Sequence, residues 1–140
     1  MSKKITSDIK QTGSVKIENL PVHGDARGVV FEPLAADRFA AQRNVHVVIS
    51  RPGAVRGNHF HLQGTETIAV AGPALVRFRE GGNIRDIEVP DQQAYRFILP
   101  PNVSHAIKNT GDQPNILVAF VTSAHDPQQP DTVEDILIET

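Results

Sequence analysis

Apolar and polar residues alternate with a period of two along much of the chain. In ALVRFRE, Val76 and Phe78 fall on one side and Leu75, Arg77 and Arg79 on the other. Such alternation marks a half-buried strand, with the arginines on its solvent face. The same pattern, or a short run of branched and aromatic residues, predicts strands over Val15–Leu20, Val29–Pro33, Val45–Arg51, Glu66–Ala71, Ala74–Arg79, Ile84–Val89, Tyr95–Leu99, Ser104–Lys108, Ile116–Thr122 and Asp135–Glu139. Gly81-Gly82 signals a hairpin turn, and Pro100-Pro101 interrupts a strand because proline cannot donate to a ladder. His23-Gly24-Asp25 and Gly111-Asp112 read as further turns, and only Leu34–Arg43, rich in alanine, reads as a helix. Many strands at a spacing of roughly 8–12 residues predict an all-β antiparallel sandwich or barrel, of which the jelly roll is one form.

Length and composition narrow this further. The 140 residues suit one domain over 14–140, with a polar, flexible N-terminus over 1–13. Aromatic residues are few, six Phe and one Tyr, so the core is expected to be mainly Val, Ile, Leu and Ala. The absence of cysteine excludes disulfides and thiolate metal sites. No apolar run reaches the roughly 18 residues of a membrane span, and the N-terminus has no apolar signal region, so a cytoplasmic protein without a membrane partner is expected. A net charge of −2 with scattered Lys and Arg gives no nucleic-acid face.

The chemistry concentrates in RGNHFHLQGTE, residues 56–66. In an extended strand His59 and His61 project to one side. Glu66 follows across a turn, and His105 enters another strand after a proline-rich corner. Three imidazoles and one carboxylate suit a divalent first-row ion: zinc first, with iron, manganese, nickel and cobalt also compatible.

The spacing Gly53-x5-His59-x-His61-x4-Glu66-x5-Gly72 resembles the first cupin motif, its last spacing one residue shorter than usual. Pro100-x-Asn102-x2-His105-x3-Asn109 resembles the second, with Asn102 where the family has glycine. Asparagine tolerates a left-handed turn better than most residues. The resemblance implies a single-domain cupin, a double-stranded β-helix or jelly-roll barrel, with His59, His61, Glu66 and His105 as metal ligands.

Further motifs bear on the kind of cupin. DARGVVFE, residues 25–32, and RGNHFH are similar to stretches of the dTDP-sugar 3,5-epimerases. Arg27 and Arg56 can offer bidentate forks to diphosphate oxygens or sugar hydroxyls, and Glu32, Arg56 and Asn58 join Arg27 as expected substrate contacts. ISRPGAVRGNHFH, VRFRE, LPPNVSHAIKNTG and HDPQQPDT resemble more closely the C-terminal cupin domain of capsular-polysaccharide UDP-sugar reductase/epimerases, over about residues 24–139. That resemblance implies metal-dependent epimerisation at C3 of a nucleotide-linked 4-keto-hexose in surface-polysaccharide synthesis. No Rossmann glycine motif occurs, so a separate reductase or aminotransferase partner is expected. Cupins of this size also imply a homodimer.

Ligand histidines cannot also serve as the base, because their second nitrogen is occupied. His125, His46 and Tyr95 are the candidates for moving the proton. His46 shares a strand face with Asn44, Val48 and Ser50. Thr67 stands where the related domains carry lysine after the ligand glutamate. Two alternatives stay open: a metal-free acid–base site like that of the dTDP-sugar ketoisomerases, and a cupin of another class, either a small-molecule dioxygenase or a non-catalytic ligand-binding module.

Overall fold

A computed structural model describes Ile9 and residues 13–140. Its elements run β1 (Lys16–Leu20), β2 (His23–Asp25), β3 (Gly28–Val30), a 3-10 helix (Ala36–Ala41), β4 (Asn44–Ser50), β5 (Val55–His61), β6 (Glu66–Ala71), β7 (Ala74–Glu80), β8 (Asn83–Val89), β9 (Ala94–Leu99), β10 (Ser104–Asn109), β11 (Asn115–Val121) and β12 (Thr132–Glu134). They form two five-stranded antiparallel sheets, ordered β1-β9-β6-β11-β4 and β12-β5-β10-β7-β8, and a separate β2-β3 pair. The all-β expectation holds: the sheets pack face to face as the sandwich of a cupin jelly roll. The flexible N-terminus expected over 1–13 lies, apart from Ile9 and Gly13, outside the described residues. Among the described residues no helix is long and apolar enough to cross a membrane.

The space between the sheets is filled by alternate residues of both: Ile17, Ile68, Val70, Val76, Phe78, Phe97, Leu99 and Leu117. Phe78 and Phe97 are fully buried and Tyr95 nearly so, so a mainly aliphatic core is built around three aromatic rings. β7 realises its period of two, with Ala74, Val76 and Phe78 buried and Leu75, Arg77 and Arg79 partly exposed on the other face. Gly81 and Gly82 make the turn into β8. In β6 both faces are buried, because the chain just before β4 lies over the outside of its sheet, where Val22 and Phe31 pack on Leu20, Ala69 and Ala94.

Four local expectations are corrected. Leu34–Arg43 does not form an α-helix; only Ala36–Ala41 coils, as a 3-10 turn with no side-chain cap and no buried residue. Alanine propensity over so short a stretch cannot offset the cost of nucleation without a packed face. The strand expected at Val29–Pro33 is shorter, Gly28–Val30, and His23–Asp25 is its hairpin partner rather than a turn. Asp135–Glu139 is not a strand; pairing ends with β12 at Glu134. The backbone of Leu137 and Ile138 is taken up by the Asn58 side chain.

β4, an edge strand, has its faces reversed from the usual sense. Its inward positions Asn44, His46 and Val48 oppose Val121, Ala119 and Leu117, which belong to the interior. Its outward positions Val45, Val47 and Ile49 are apolar and 55%, 57% and 66% exposed.

Candidate metal centre

The four expected ligands come together at one end of the sandwich. His59 and His61 lie two apart on β5, and His105 on β10 is paired directly opposite His59. Glu66 opens β6 in the facing sheet, so the cluster bridges the two layers. One nitrogen or oxygen from each lies within 4.8 Å of every other. The His59 ring stands edge-on to His61 at 5.4 Å and to His105 at 4.9 Å between centroids.

A bulge in β5 sets this geometry. Ala106 pairs with Gly57 while its neighbour His105 pairs with His59, leaving Asn58 as an extra residue. Gly57 and Asn58 have φ of 89° and 58°. A Cβ on Gly57 would lie 2.7 Å from the His105 carbonyl oxygen, so only glycine lets the strands approach here. The bulge breaks simple alternation. Val55 faces the outer cluster with Ala106 and Leu137, whereas Arg56, opposite buried Ile107, joins His59 and His61 on the inner side. Asn102 takes the left-handed conformation expected of it, φ 67°, and its N–H donates to the His61 carbonyl at 2.7 Å.

The donor set fits a divalent cation. His105 is 1% exposed, Glu66 4% and His61 8%. The Nδ1–H of His105 donates to the Val103 carbonyl at 3.1 Å, which leaves Nε2 with its lone pair. His61 Nδ1 lies 3.3 Å from an Asp131 carboxylate oxygen. The Nε2 atoms of His61 and His105 are buried without a hydrogen-bond partner. His105 Nε2 stands 2.5 Å and His61 Nε2 3.6 Å from the Glu66 oxygens, without the geometry of a hydrogen bond. A single ion bound by all four residues would sit at a point they share. Bonds of about 2.1 Å to one ion put ligand atoms about 3.4 Å apart in a tetrahedron and at most about 4.2 Å apart when opposite, so pairs near the 4.8 Å limit must close and the His105–Glu66 pair must open to hold one ion.

Charge follows the same pattern. Burial alone would raise the Glu66 carboxyl, but His105 and His61 outweigh it and hold it well below the usual carboxylate range. Burial, with the neighbouring His105, pushes His59 down to about 4 and keeps it neutral. For His61 burial acts downward, yet contacts with Glu66 and then Asp131 raise it overall. The Asp131 carboxyl, which burial would raise, is held low by the N–H groups of Gly64 and Gln63.

The other expected site residues divide. His46 faces inward from β4, close enough to His59 for its charge to act on it. Arg56 is exposed on the inner side of β5, with no ion pair among the described residues. Tyr95 is 7% exposed in the core beside Phe97, and its strand position is four residues from Leu99, the partner of Glu66. His125 is exposed in the loop between β11 and β12. Arg27 lies at the exposed β2-β3 hairpin, paired to Asp25 at 2.6 Å. Glu32 borders an apolar groove with Phe39, Val45 and Phe120 on the outer face. The structure therefore does not bring Arg27 or Glu32 to the cluster of the same chain. Asn58 is not brought to the cluster either: it is 8% exposed, and its amide binds the backbone of Leu137 and Ile138 on the outer side. Thr67 pairs with Phe120 and, alternating with Glu66, faces away from the cluster.

One residue at the site was missed. Asp131, in the HDPQQPDT stretch that carries part of the family resemblance, backs His61. No spacing rule connects a strand residue with a loop residue 70 positions away.

The comparisons agree with this architecture. The capsular polysaccharide assembling protein CapF of Staphylococcus aureus shares 30% identity and superposes with a TM-score of 0.62, over 83% of this chain and 32% of that one. The UDP-2-acetamido-2,6-beta-L-arabino-hexul-4-ose reductase of Pseudomonas aeruginosa is 27% identical over 117 residues, 81% of this chain and 31% of that protein. The chain thus spans about a third of the length of each of these relatives. ChmJ, a 3'-monoepimerase from Streptomyces bikiniensis seen with dTDP-quinovose, has the same fold, with a TM-score of 0.68 at 20% identity over 86% of this chain and 68% of that one. The family model described as polysaccharide biosynthesis C-terminal domain matches residues 23–133, and the chain belongs to that family.

Proposed function

We propose that the protein is a metal-dependent epimerase or isomerase acting at C3 of a nucleotide-linked 4-keto-hexose in surface-polysaccharide synthesis. Its main support is the convergence of His59, His61, Glu66 and His105 within 4.8 Å, in a chain whose relatives include a nucleotide-sugar reductase and proteins of similar fold named as sugar epimerases. His59, His61, Glu66 and His105 would hold a divalent ion, which would supply Lewis-acid activation of the 4-keto group and so acidify the neighbouring C–H.

The chain's own residues supply the rest. In this reading His46, exposed on β4 opposite Ala119, takes the C3 proton, and return of a proton on the other face inverts the centre. Arg56, on the same side of β5 as His59, offers a planar fork to the diphosphate or a sugar hydroxyl. The protein works as a homodimer in this proposal, with the apolar outer face of β4 as the contact.

The metal-free alternative has one favourable observation: His59 is only half-buried and is held neutral, as a free base would be. One experiment separates the two. Protein purified without chelator is analysed for metal, then incubated in D2O with UDP- and dTDP-linked 4-keto-hexoses. Bound metal and deuterium at C3 support the proposal. Exchange without metal favours the alternative, and exchange into neither substrate refutes both.

A further inference from the structure

Asp131 contacts the loop after β5 more densely than any turn requires. Its backbone carbonyl accepts from Leu62 N–H at 2.8 Å. One carboxylate oxygen accepts from Gln63 N–H at 2.9 Å, and the other from Gly64 N–H at 2.9 Å and from Ser123 Oγ at 3.2 Å. That second oxygen also lies 3.3 Å from His61 Nδ1. Gly64 is confined by the same contacts: a Cβ there would lie 2.5 Å from Ser123 Oγ and 2.9 Å from the Asp131 oxygen.

We propose that Asp131 is a positioning residue for the metal centre, fixing His61 as the Nδ1–H tautomer and aiming its Nε2 at the shared point. An ionised carboxylate is acceptor-only, so the ring nitrogen facing it must carry the proton. In the neutral ring the lone pair is then on Nε2, the atom that lies buried without a hydrogen-bond partner beside Glu66. His105 is fixed in the same sense by the Val103 carbonyl. The two buried histidines are thus oriented by different devices, one local in sequence and one brought by the chain just before β12. A carboxylate partner also makes its imidazole a stronger ligand than a carbonyl does. The DPQQPDT stretch thereby contributes to the metal centre from behind.

The inference rests on the metal reading above, and two measurements keep their failures apart. The first is affinity for Zn(II) alone, by competition with a chromophoric chelator. The wild-type chain should bind one equivalent, Asp131→Asn should bind about 10- to 100-fold more weakly, and Asp126→Asn, whose carboxylate meets only Gln128 N–H in an exposed turn, should match wild type. If wild type binds no metal, the metal reading fails and this inference with it. If wild type binds and Asp131→Asn binds equally well, only the inference fails. The second is the nitrogen-15 spectrum of the wild-type, metal-free protein above pH 8, which stands even if the variant does not fold. His61 should be protonated on Nδ1; protonation on Nε2 overturns the proposal.

Discussion

Replacing Asn58 separates a role in substrate binding from a role in holding the fold. Its amide makes three buried hydrogen bonds: Nδ2 to the Ile138 carbonyl at 3.0 Å, and Oδ1 from the N–H groups of Leu137 at 2.9 Å and Ile138 at 3.1 Å. Each such bond contributes about 1 kcal/mol net, so Asn58→Ala should lose about 3 kcal/mol from these contacts. The residue also sits at φ 58°, where alanine costs about 1 kcal/mol more than glycine. Asn58→Ala is therefore expected to destabilise by about 4 kcal/mol, and Asn58→Gly by about 1 kcal/mol less. Urea unfolding of the metal-free protein measures both. Hydrogen exchange should show the amides of Leu137 and Ile138 losing protection before those of β7. A loss under about 1 kcal/mol for Asn58→Ala, coupled to a raised KM, would refute this account and restore Asn58 as a substrate contact.

Four more outcomes follow from the same geometry. Glu66→Gln, which removes the only carboxylate of the cluster, should weaken Zn(II) binding by more than about 100-fold in chelator competition. Metal at 100 times its Kd should stabilise the protein by about 2.7 kcal/mol, on the order of 8 °C in Tm, and EDTA should abolish that gain in a thermal melt. His46→Gln should slow deuterium exchange into a 4-keto sugar by about 100-fold or more while leaving metal affinity unchanged. Val47→Lys, at the centre of the exposed outer stripe of β4, should leave the circular dichroism intact but lower the light-scattering mass from twice 15.3 kDa to the monomer value.

How much of this was legible in the sequence depended on the range of the cause. β7, β8 and their Gly81-Gly82 turn were legible because period two and turn chemistry are local. The pairing of His59 with His61 was local as well, and the two cupin-like motifs joined Glu66 and His105 to them. The inward turn of Arg56 was not legible, since it depends on a bulge one residue long, although Gly57 was its outward sign. The segment Asp135–Glu139 alternates like a strand, but its backbone partners are a side chain 80 residues away, and alternation cannot report that. Asp131 escaped for the same reason: its His61 partner is 70 residues distant. The reversed faces of β4 were half visible, as three outward apolar residues interleaved with Asn44, His46 and Ser50. Only the burial of Ala119 and Leu117 opposite His46 and Val48 tells which side is in.

The bulge at Gly57-Asn58 divides β5 into two sets of positions that mutation can vary separately. Arg56, His59 and His61 look into the sandwich, whereas Val55 and Asn58 clasp the C-terminal segment outside it. Substitutions at Arg56, or on the facing sheet at Asn44 and His46, can change the surroundings of the cluster without loosening that clasp. New specificities can be sampled there at little cost to folding, while the clasp positions tolerate little change whatever the ligand.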